Sequence, residues 1–222
     1  MKGKIFNAQE VQAIIVGNKT MFREVIKVQP TNENQVFSTV ASSIRNKDIG
    51  THNFINPKAI WEQTKKFKCP YQVGQKIFCK EVFCKSIFGK AIYKDEEKEI
   101  RGFGGKEVVV KWKPAQHMKQ EQSRLTLEIT NIKVERLAEI SEGDCKKEGI
   151  GYTGGWNGED YDDGEFYFGK LTESEDGMNW KNEMFEYPNL AFASIWNKTH
   201  KKPKEKFETN PFVWVVDFKI NK

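Results

Sequence analysis

The feature that most constrains the fold is a series of β-strand patterns that no helical crossover connects. Residues 212–216 form a continuous apolar run, which predicts a central strand within residues 212–220. Residues 124–134 are predicted to form another strand, because apolar and polar side chains alternate over residues 125–130, as in a strand with one buried face. Further strands are predicted at residues 22–28, 76–83 and 107–112. Because the strands outnumber the helices and lack regular crossovers, the pattern favours an α+β fold or a barrel over a doubly wound sheet.

Two short helices carry clear start and stop signals. Asn7 is suited to the N-cap of the first helix, and Glu10, three positions later, completes a capping box. Apolar residues follow at helical spacing until Gly17 ends the helix. The second helix begins at Ser141 and ends at Gly149. We therefore expect two short helices that flank the strands.

The length of 222 residues predicts a single domain, 1–222, that carries insertions. Residues 29–60 are polar, residues 84–106 are charged, and residues 151–190 are acidic and rich in glycine and aromatic residues. The acidic segment shows little helix or strand periodicity. Segments of this kind are either functional lids or excursions from the fold.

Composition and cysteine spacing exclude several classes of protein. With 38% hydrophobic residues and no apolar run of about 20 residues, the chain is predicted to be neither disordered throughout nor membrane-spanning. The first residues lack the apolar stretch of a signal peptide, which predicts a cytoplasmic protein without a membrane partner. The four cysteines include no C-x-x-C pair and the three histidines lie far apart, so we expect reduced thiols, no metal site and no cofactor.

Charge is distributed unevenly along the chain. Residues 151–190 hold ten acidic and two basic residues, a net charge of −8. Since the whole chain has a net charge of +5, the remaining residues carry +13. A basic body favours a polyanionic partner such as RNA, DNA or a nucleotide. The alternative is that solvated lysines simply maintain solubility. A further hypothesis is that the acidic segment folds over a basic cleft as a lid or a nucleic-acid mimic.

Several blocks of sequence carry a family resemblance. They comprise residues 10–20 (with the turn Gly17-Asn18-Lys19-Thr20), 25–30, 69–71, 74–81 (ending in Glu81), 112–118, 123–129, 134–137, 140–142, 148–150 and 210–218. In this order the blocks resemble phage and prophage proteins with an ASCH domain, which belongs to the PUA-like superfamily. The blocks cover roughly half of the chain, which makes the resemblance more specific than any single motif.

The resemblance implies a PUA-like mixed β-barrel with short helices beside a cleft at residues 17–20. Because ASCH domains are similar to RNA-binding PUA domains, it also implies a ligand: RNA, a nucleotide or a modified nucleoside. One branch of the family resembles an amidohydrolase that removes acetyl from N4-acetylcytidine. In that branch the motif G-x-K-x-x-T-x-R supplies a lysine that activates a threonine nucleophile, and a distant glutamate performs acid–base catalysis.

The motif transfers to this chain only in part. Gly17 and Lys19 match it, and Glu148 stands where the branch has its catalytic glutamate. A lysine just beyond a helix C-terminus is stabilised as a cation by the carbonyl ends, which suits the binding of an anion or a carbonyl oxygen. A base role for Lys19 would require burial that lowers its pKa.

The nucleophile position of the motif departs from the family. Three residues after the lysine stands Phe22, which has no hydroxyl, and the arginine position holds Glu24, with Arg23 immediately before it. Thr20 would have to replace the nucleophile, unless water attacks with Glu148 as the base. The candidate catalytic residues are thus Lys19, Thr20 and Glu148, and the candidate ligand-binding residues are Gly17, Asn18, Phe22, Arg23 and Glu81.

Three functions stay open at the level of the sequence. The first is a binding module whose cleft recognises RNA, a nucleotide or a modified nucleobase without turnover. The second is an amidohydrolase acting on N4-acetylcytidine or a related amide, and the third is a phage assembly or interaction factor. The absence of threonine at the position of Phe22 favours binding over covalent catalysis.

Overall fold

The computed structural model describes residues 1–39, 50–85, 89–94, 111–152, 166–168 and 183–221. The strands are β1 (Lys2–Ile5), β2 (Met21–Val25), β3 (Val36–Thr39), β4 (His52–Asn56), β5 (Ala59–Gln63), β6 (Lys76–Lys80), β7 (Phe83–Lys85), β8 (Ala91–Tyr93), β9 (Thr126–Arg136), β10 (Ile150–Tyr152), β11 (Phe166–Phe168) and β12 (Phe212–Ile220). The α-helices are α1 (Ala8–Ile15), α2 (Glu142–Lys147) and α3 (Pro188–Thr199), and short 3-10 turns connect several elements. The predicted α+β class is confirmed in this form: mostly sheet, with a few short helices.

The largest sheet has five strands in the order β1-β6-β9-β12-β2. β12 lies antiparallel to both β9 and β2, and β1 lies parallel to β6. Val213, Val215 and Val216 of β12 are fully buried, because α2 and α3 pack on one face of the sheet, and α1 together with a second sheet packs on the other. The prediction of a central strand from the apolar run 212–216 is confirmed.

The other strand predictions meet different outcomes. The alternating segment 124–134 forms β9, in which Leu127 and Ile129 are fully buried. The predicted strand 22–28 is shorter, since β2 ends at Val25. The predicted strand 76–83 is two strands, β6 and β7, because the chain leaves the main sheet after Lys80. Most of the predicted strand 107–112 lies outside the described residues.

Both predicted helices are confirmed, together with their caps. The Asn7 side chain accepts from the Glu10 N–H at 2.9 Å, and the Glu10 carboxylate accepts from the Asn7 N–H at 2.9 Å. The Ser141 hydroxyl accepts from the Asp144 N–H at 3.1 Å at the start of α2. α3 was not predicted from the sequence, since its first residues belong to the segment assigned to the acidic insertion.

The barrel that the family resemblance implies is not closed. Within the described residues, β1 pairs only with β6 and β2 pairs only with β12, so no backbone ladder joins the two sheet edges. Side chains join them instead. Nζ of Lys4 on β1 lies 2.6 Å from Oε2 of Glu24 on β2, and the hydroxyl of Tyr71 donates to the same oxygen.

A second sheet, β3-β4-β5, is built largely from the predicted insertion 29–60. Its inner face packs on β12 through aromatic rings: Phe54 lies 4.7 Å from Phe212, and Phe37 lies 6.0 Å from Trp214, between ring centroids. Phe54 is fully buried in this contact. The segment was predicted to be an insertion because its polar residues obscure the few aromatic side chains that anchor it.

The other predicted insertions contribute smaller elements. Residues 84–106 include the end of β7 and all of β8, while residues 95–106 lie outside the described part of the chain. In the acidic segment, β10 pairs with β11, and the start of α3 falls at its end. Residues 153–165 and 169–182 of that segment, on which the lid hypothesis depends, lie outside the described residues. None of the helices described is both long enough and apolar enough to cross a bilayer.

Candidate functional site

A cavity of about 300 Å³ opens beside β2, between the ends of α1 and α2 on one side and α3 on the other. The turn from β1 into α1 and the C-terminal end of α2 form its polar side, and α3 forms its aromatic side. The side chains that line the cavity include Lys4, Glu10, Lys19, Phe22, Arg23, Glu24, Glu148, Phe192, Trp196 and His200.

Two helix ends bring the polar groups of the cavity together. α1 and α2 are each followed by a glycine in the left-handed region, Gly17 with φ 83° and Gly149 with φ 98°, a conformation that glycine adopts without strain. The chain segments beside these glycines pair with each other as an isolated antiparallel bridge between Lys19 and Glu148. The Thr20 N–H donates to the Lys147 carbonyl at 2.8 Å, which fixes the register of this contact.

Glu148 accepts hydrogen bonds from two cations. Nζ of Lys19 lies 2.6 Å from Oε2 of Glu148, and Nη1 of Arg23 lies 2.9 Å from Oε1. Lys19, Arg23 and Glu148 are all buried, with 3%, 5% and 4% of their surface exposed. Buried carboxylates and cations require partners of this kind, because an unpaired charge away from water is strongly unfavourable.

The charge network continues behind Arg23. Its Nη2 donates to Glu135 at 2.5 Å and to Asp144 at 3.1 Å, and Lys133 lies 2.9 Å from both carboxylates. Burial alone would lower the pKa of Arg23, but the carboxylates of Glu148 and Glu135 outweigh it, so the pKa lies above its ordinary value. Within the described part of the chain, the buried Nε–H of Arg23 has no acceptor.

Aromatic rings line the opposite side of the cavity. Phe22 makes an edge contact with Phe6, at 5.9 Å between centroids, and Nζ of Lys4 lies 4.8 Å above the Phe22 ring. On α3, the His200 ring stacks on Trp196 with 3.8 Å between centroids and 10° between planes. Burial lowers the pKa of His200, although the hydrogen bond to the Trp196 carbonyl partly opposes this shift, and the lowered pKa favours the neutral imidazole.

The structure brings four of the eight predicted site residues into the cavity and separates the others from it. Lys19, Phe22, Arg23 and Glu148 line the cavity. The remaining four do not: Gly17, Asn18 and Thr20 are exposed, and Glu81 is buried elsewhere, in an ion pair with Arg124 at 2.8 Å.

Comparison with known proteins gives no relative. No family model, curated protein or solved structure matches this chain. The similarity of the sequence blocks to ASCH-domain proteins therefore stays a prediction.

The aromatic side of the cavity was missed at the level of the sequence. Phe192, Ile195, Trp196 and Thr199 follow the i, i+3, i+4, i+7 spacing of an amphipathic helix, and Pro188 suits its first turn, so this signal could have identified α3. The acidic composition upstream obscured it.

Sequence separation hides His200 and the pair formed by Lys4 and Glu24. The wide spacing of the three histidines in the sequence gives no sign that His200 belongs to a site, yet its ring lines the cavity beside Trp196. Lys4 and Glu24 lie on opposite edges of the main sheet, and only the folded chain brings them to 2.6 Å.

The arrangement can bind a polar planar group and can move a proton near it. Lys19 and Arg23 donate hydrogen bonds, Glu148 accepts them, and the aromatic rings offer flat apolar surface. Among the described residues, no group of three or more His, Cys, Asp or Glu side chains is arranged to hold a metal ion.

Proposed function

We propose that this protein is a PUA-like domain of the ASCH type whose cavity binds a nucleobase, as a free nucleoside or within RNA. One observation carries the proposal: the cavity combines a buried cluster of hydrogen-bonding groups, Lys19, Arg23 and Glu148, with the aromatic rings of Phe22 and Trp196. Proteins that bind a base flipped out of a nucleic-acid duplex use this combination, since they stack on the ring of the base and form hydrogen bonds with its edge.

Size supports a compact ligand. A cavity of about 300 Å³ lies at the lower end of the range for small-molecule sites, about 300–1,000 Å³. That volume suits a base or a nucleoside rather than several nucleotides held together. An oligonucleotide could present one base to the cavity while its backbone lies outside.

Charge supports an uncharged group. The cavity is lined by three basic side chains, Lys4, Lys19 and Arg23, and by three acidic ones, Glu10, Glu24 and Glu148. A site for a phosphate would carry an excess of positive charge, which this balance does not supply. The unpaired Nε–H of Arg23 offers a donor to a carbonyl oxygen, such as that of a pyrimidine.

Hydrolysis of an N4-acylated cytidine is a second candidate, favoured by the buried contact of Lys19 with Glu148 inside the cavity. The covalent route of the family has no nucleophile here, because Phe22 occupies the cavity and Thr20 is exposed outside it. The reaction would need water as the nucleophile: Glu148 accepts its proton and Lys19 stabilises the oxyanion. The C–N bond then breaks as Glu148 returns the proton to the amine nitrogen, which releases cytidine and a carboxylate.

The test is to titrate the protein with cytidine, N4-acetylcytidine, uridine and cytidine monophosphate by calorimetry. Ile195 lines the cavity without contributing charge, so Ile195→Trp fills the space and keeps the polar cluster. We expect a nucleoside to bind and Ile195→Trp to weaken it at least tenfold. The matched control is Ile15→Trp, at a partly exposed position on α1 outside the cavity, which should bind as the unmodified protein does.

Two results would reject the proposed binding function: no nucleoside binds, or Ile195→Trp binds as well as the control. Turnover is measured in the same samples by chromatography of N4-acetylcytidine and cytidine. Release of cytidine by the unmodified protein, lost in Glu148→Gln, would establish the second candidate. Binding without release would leave the binding module as the function.

A further inference from the structure

The sheet β3-β4-β5 has one face inside the protein and one outside. Its inner face carries Phe37 and Phe54, whose rings contact Trp214 and Phe212 of β12. Because side chains alternate along a strand, the neighbours of these residues point away from the protein. The register pairs Val36 with Ile55 and Ile55 with Gln63, which places these three side chains together on the outer face.

Trp61 lies on β5, the edge strand of this sheet, in the stretch where the pairing of β5 with β4 shifts register between Ala59 and Gln63. Its side chain is 77% exposed, the largest exposed fraction among the large hydrophobic residues described. Val36, on the other edge of the sheet, is 48% exposed. An indole ring in water is unfavourable, and tryptophan is enriched where proteins contact other molecules.

The charge around Trp61 is strongly positive. Lys58 stands in the turn between β4 and β5, and three more exposed lysines, Lys65, Lys66 and Lys68, follow β5. Glu62 is the only acidic residue between positions 50 and 68. Its carboxylate accepts from Nδ2 of Asn56 at 2.9 Å, which occupies one of its oxygens within the sheet.

We propose that the exposed surface around Trp61 on β5 binds single-stranded nucleic acid. Trp61 stacks on one unpaired base, and the lysines at both ends of β5 contact the flanking phosphates. A flat apolar ring set among cations matches a strand in which bases alternate with negative charge, and such stacking accepts any base. A duplex fits less well, because its bases already stack on one another.

This surface is separate from the cavity. The residues of β3, β4 and β5 do not line the cavity, whose walls come from the turn before α1, β2, the end of α2 and α3. The inference therefore goes beyond the proposed nucleobase cavity and does not depend on it. The two can fail independently, since one is tested with nucleosides and the other with oligonucleotides.

The experiment measures binding of fluorescein-labelled 12-nucleotide oligo-U and oligo-dT by anisotropy at several salt concentrations. We expect binding that Trp61→Ala weakens about 5- to 150-fold, the range for loss of one stacked base, and that Trp61→Phe largely restores. The double variant Lys58→Ala/Lys65→Ala should reduce the slope of log K against log salt by about 1.4, about 0.7 for each phosphate contact removed.

Matched controls use exposed residues on other elements. Val73→Ala, at a position 65% exposed in the turn before β6, should leave affinity unchanged, as should Lys119→Ala. The inference is overturned if neither oligonucleotide binds, or if Trp61→Ala binds as tightly as Val73→Ala. It is also overturned if Trp61→Ala leaves affinity unchanged and instead dissociates a dimer in light scattering, which would assign the face to a second copy of the chain.

Discussion

Nζ of Lys19 lies 2.6 Å from Oε2 of Glu148, although 129 positions separate the two residues in the sequence. The contact joins the end of α1 to the end of α2 and forms the polar wall of the cavity. Arg23 holds the other oxygen of the same carboxylate at 2.9 Å. The Glu148 carboxylate, which would bind a ligand, therefore also links the ends of α1 and α2 to β2. Its substitution is expected to affect both binding and stability.

Replacing Glu148 by alanine should lower the free energy of unfolding by about 3–5 kcal/mol, because Lys19 and Arg23 would remain buried without that carboxylate. Urea unfolding followed by circular dichroism measures the effect. Glu33→Ala, at an exposed loop position, is the control and should change stability by less than about 0.5 kcal/mol.

The double variant Lys19→Met/Glu148→Leu tests whether the cost arises from the unpaired charge. Removing both partners leaves Arg23 with Glu135 and Asp144, so we expect this variant to be more stable than Glu148→Ala. A double variant no more stable than the single one would mean that Glu148 contributes through shape and packing instead.

Glu24 should make stability depend on acidity. Burial raises the pKa of its carboxyl, but the charge of Lys4 and the hydrogen bonds from Lys4 and Tyr71 lower it by more. The pKa of Glu24 therefore lies below its ordinary value of 4.5. Near pH 4.5 the folded state therefore binds fewer protons at Glu24 than the unfolded state does. Its stabilising contribution is complete above about pH 4.5 and is lost as the pH falls through the folded pKa.

Unfolding of the unmodified protein and of Glu24→Gln, compared between pH 7 and pH 2, measures this contribution. We expect the stability difference between the two proteins to be constant above about pH 5 and to shrink below pH 4.5. A difference that stays the same down to pH 2 would contradict the assignment. Tyr71→Phe should reduce the pH-dependent part, because it removes one donor to the carboxylate.

His200 should titrate below the ordinary pKa of 6.5, because burial beside Trp196 disfavours the imidazolium. The measurement is a histidine NMR titration, with His200→Gln used to assign the resonance. Since the folded pKa is the lower one, protonation destabilises the protein as the pH falls below 6.5. A midpoint at or above 6.5 would show that the ring is not held in the cavity wall as described.

Two buried thiols should be unreactive in the folded protein. Burial raises the pKa of Cys79 and of Cys145 to about 12, so at pH 8 almost none of either is thiolate. With Ellman's reagent, Cys145→Ser should show the same slow reaction as the unmodified protein. In urea, three thiols of Cys145→Ser should react, compared with four in the unmodified protein. Rapid loss of a Cys145 signal from the native protein would contradict its placement in the core.

The parts of the fold that depend on local chemistry could be predicted from the sequence. The capping box at Asn7 and the glycines after α1 and α2 depend on residues only a few positions apart, so they can be recognised in the sequence alone. The apolar run in β12 likewise identifies a buried strand, because every side chain of a strand covered on both faces must be apolar.

The closure of the sheet could not be predicted in this way. Whether β1 and β2 pair along their backbones or meet through Lys4 and Glu24 depends on the accumulated twist of the five strands. The alternation of residues does not encode that twist. The same limit hid β3-β4-β5, which a few aromatic contacts to β12 anchor within a polar segment.

For the candidate site, the sequence by itself determined the turn after α1, with Lys19 directly beyond it, and the absence of a hydroxyl at Phe22. Only the tertiary structure decided that Lys19 meets Glu148, that Thr20 stays outside the cavity, and that α3 supplies the aromatic wall. The physical reason is that helix ends are encoded by neighbouring residues. A buried ion pair instead requires two distant segments to exclude water together, and only the complete packing of the chain achieves that.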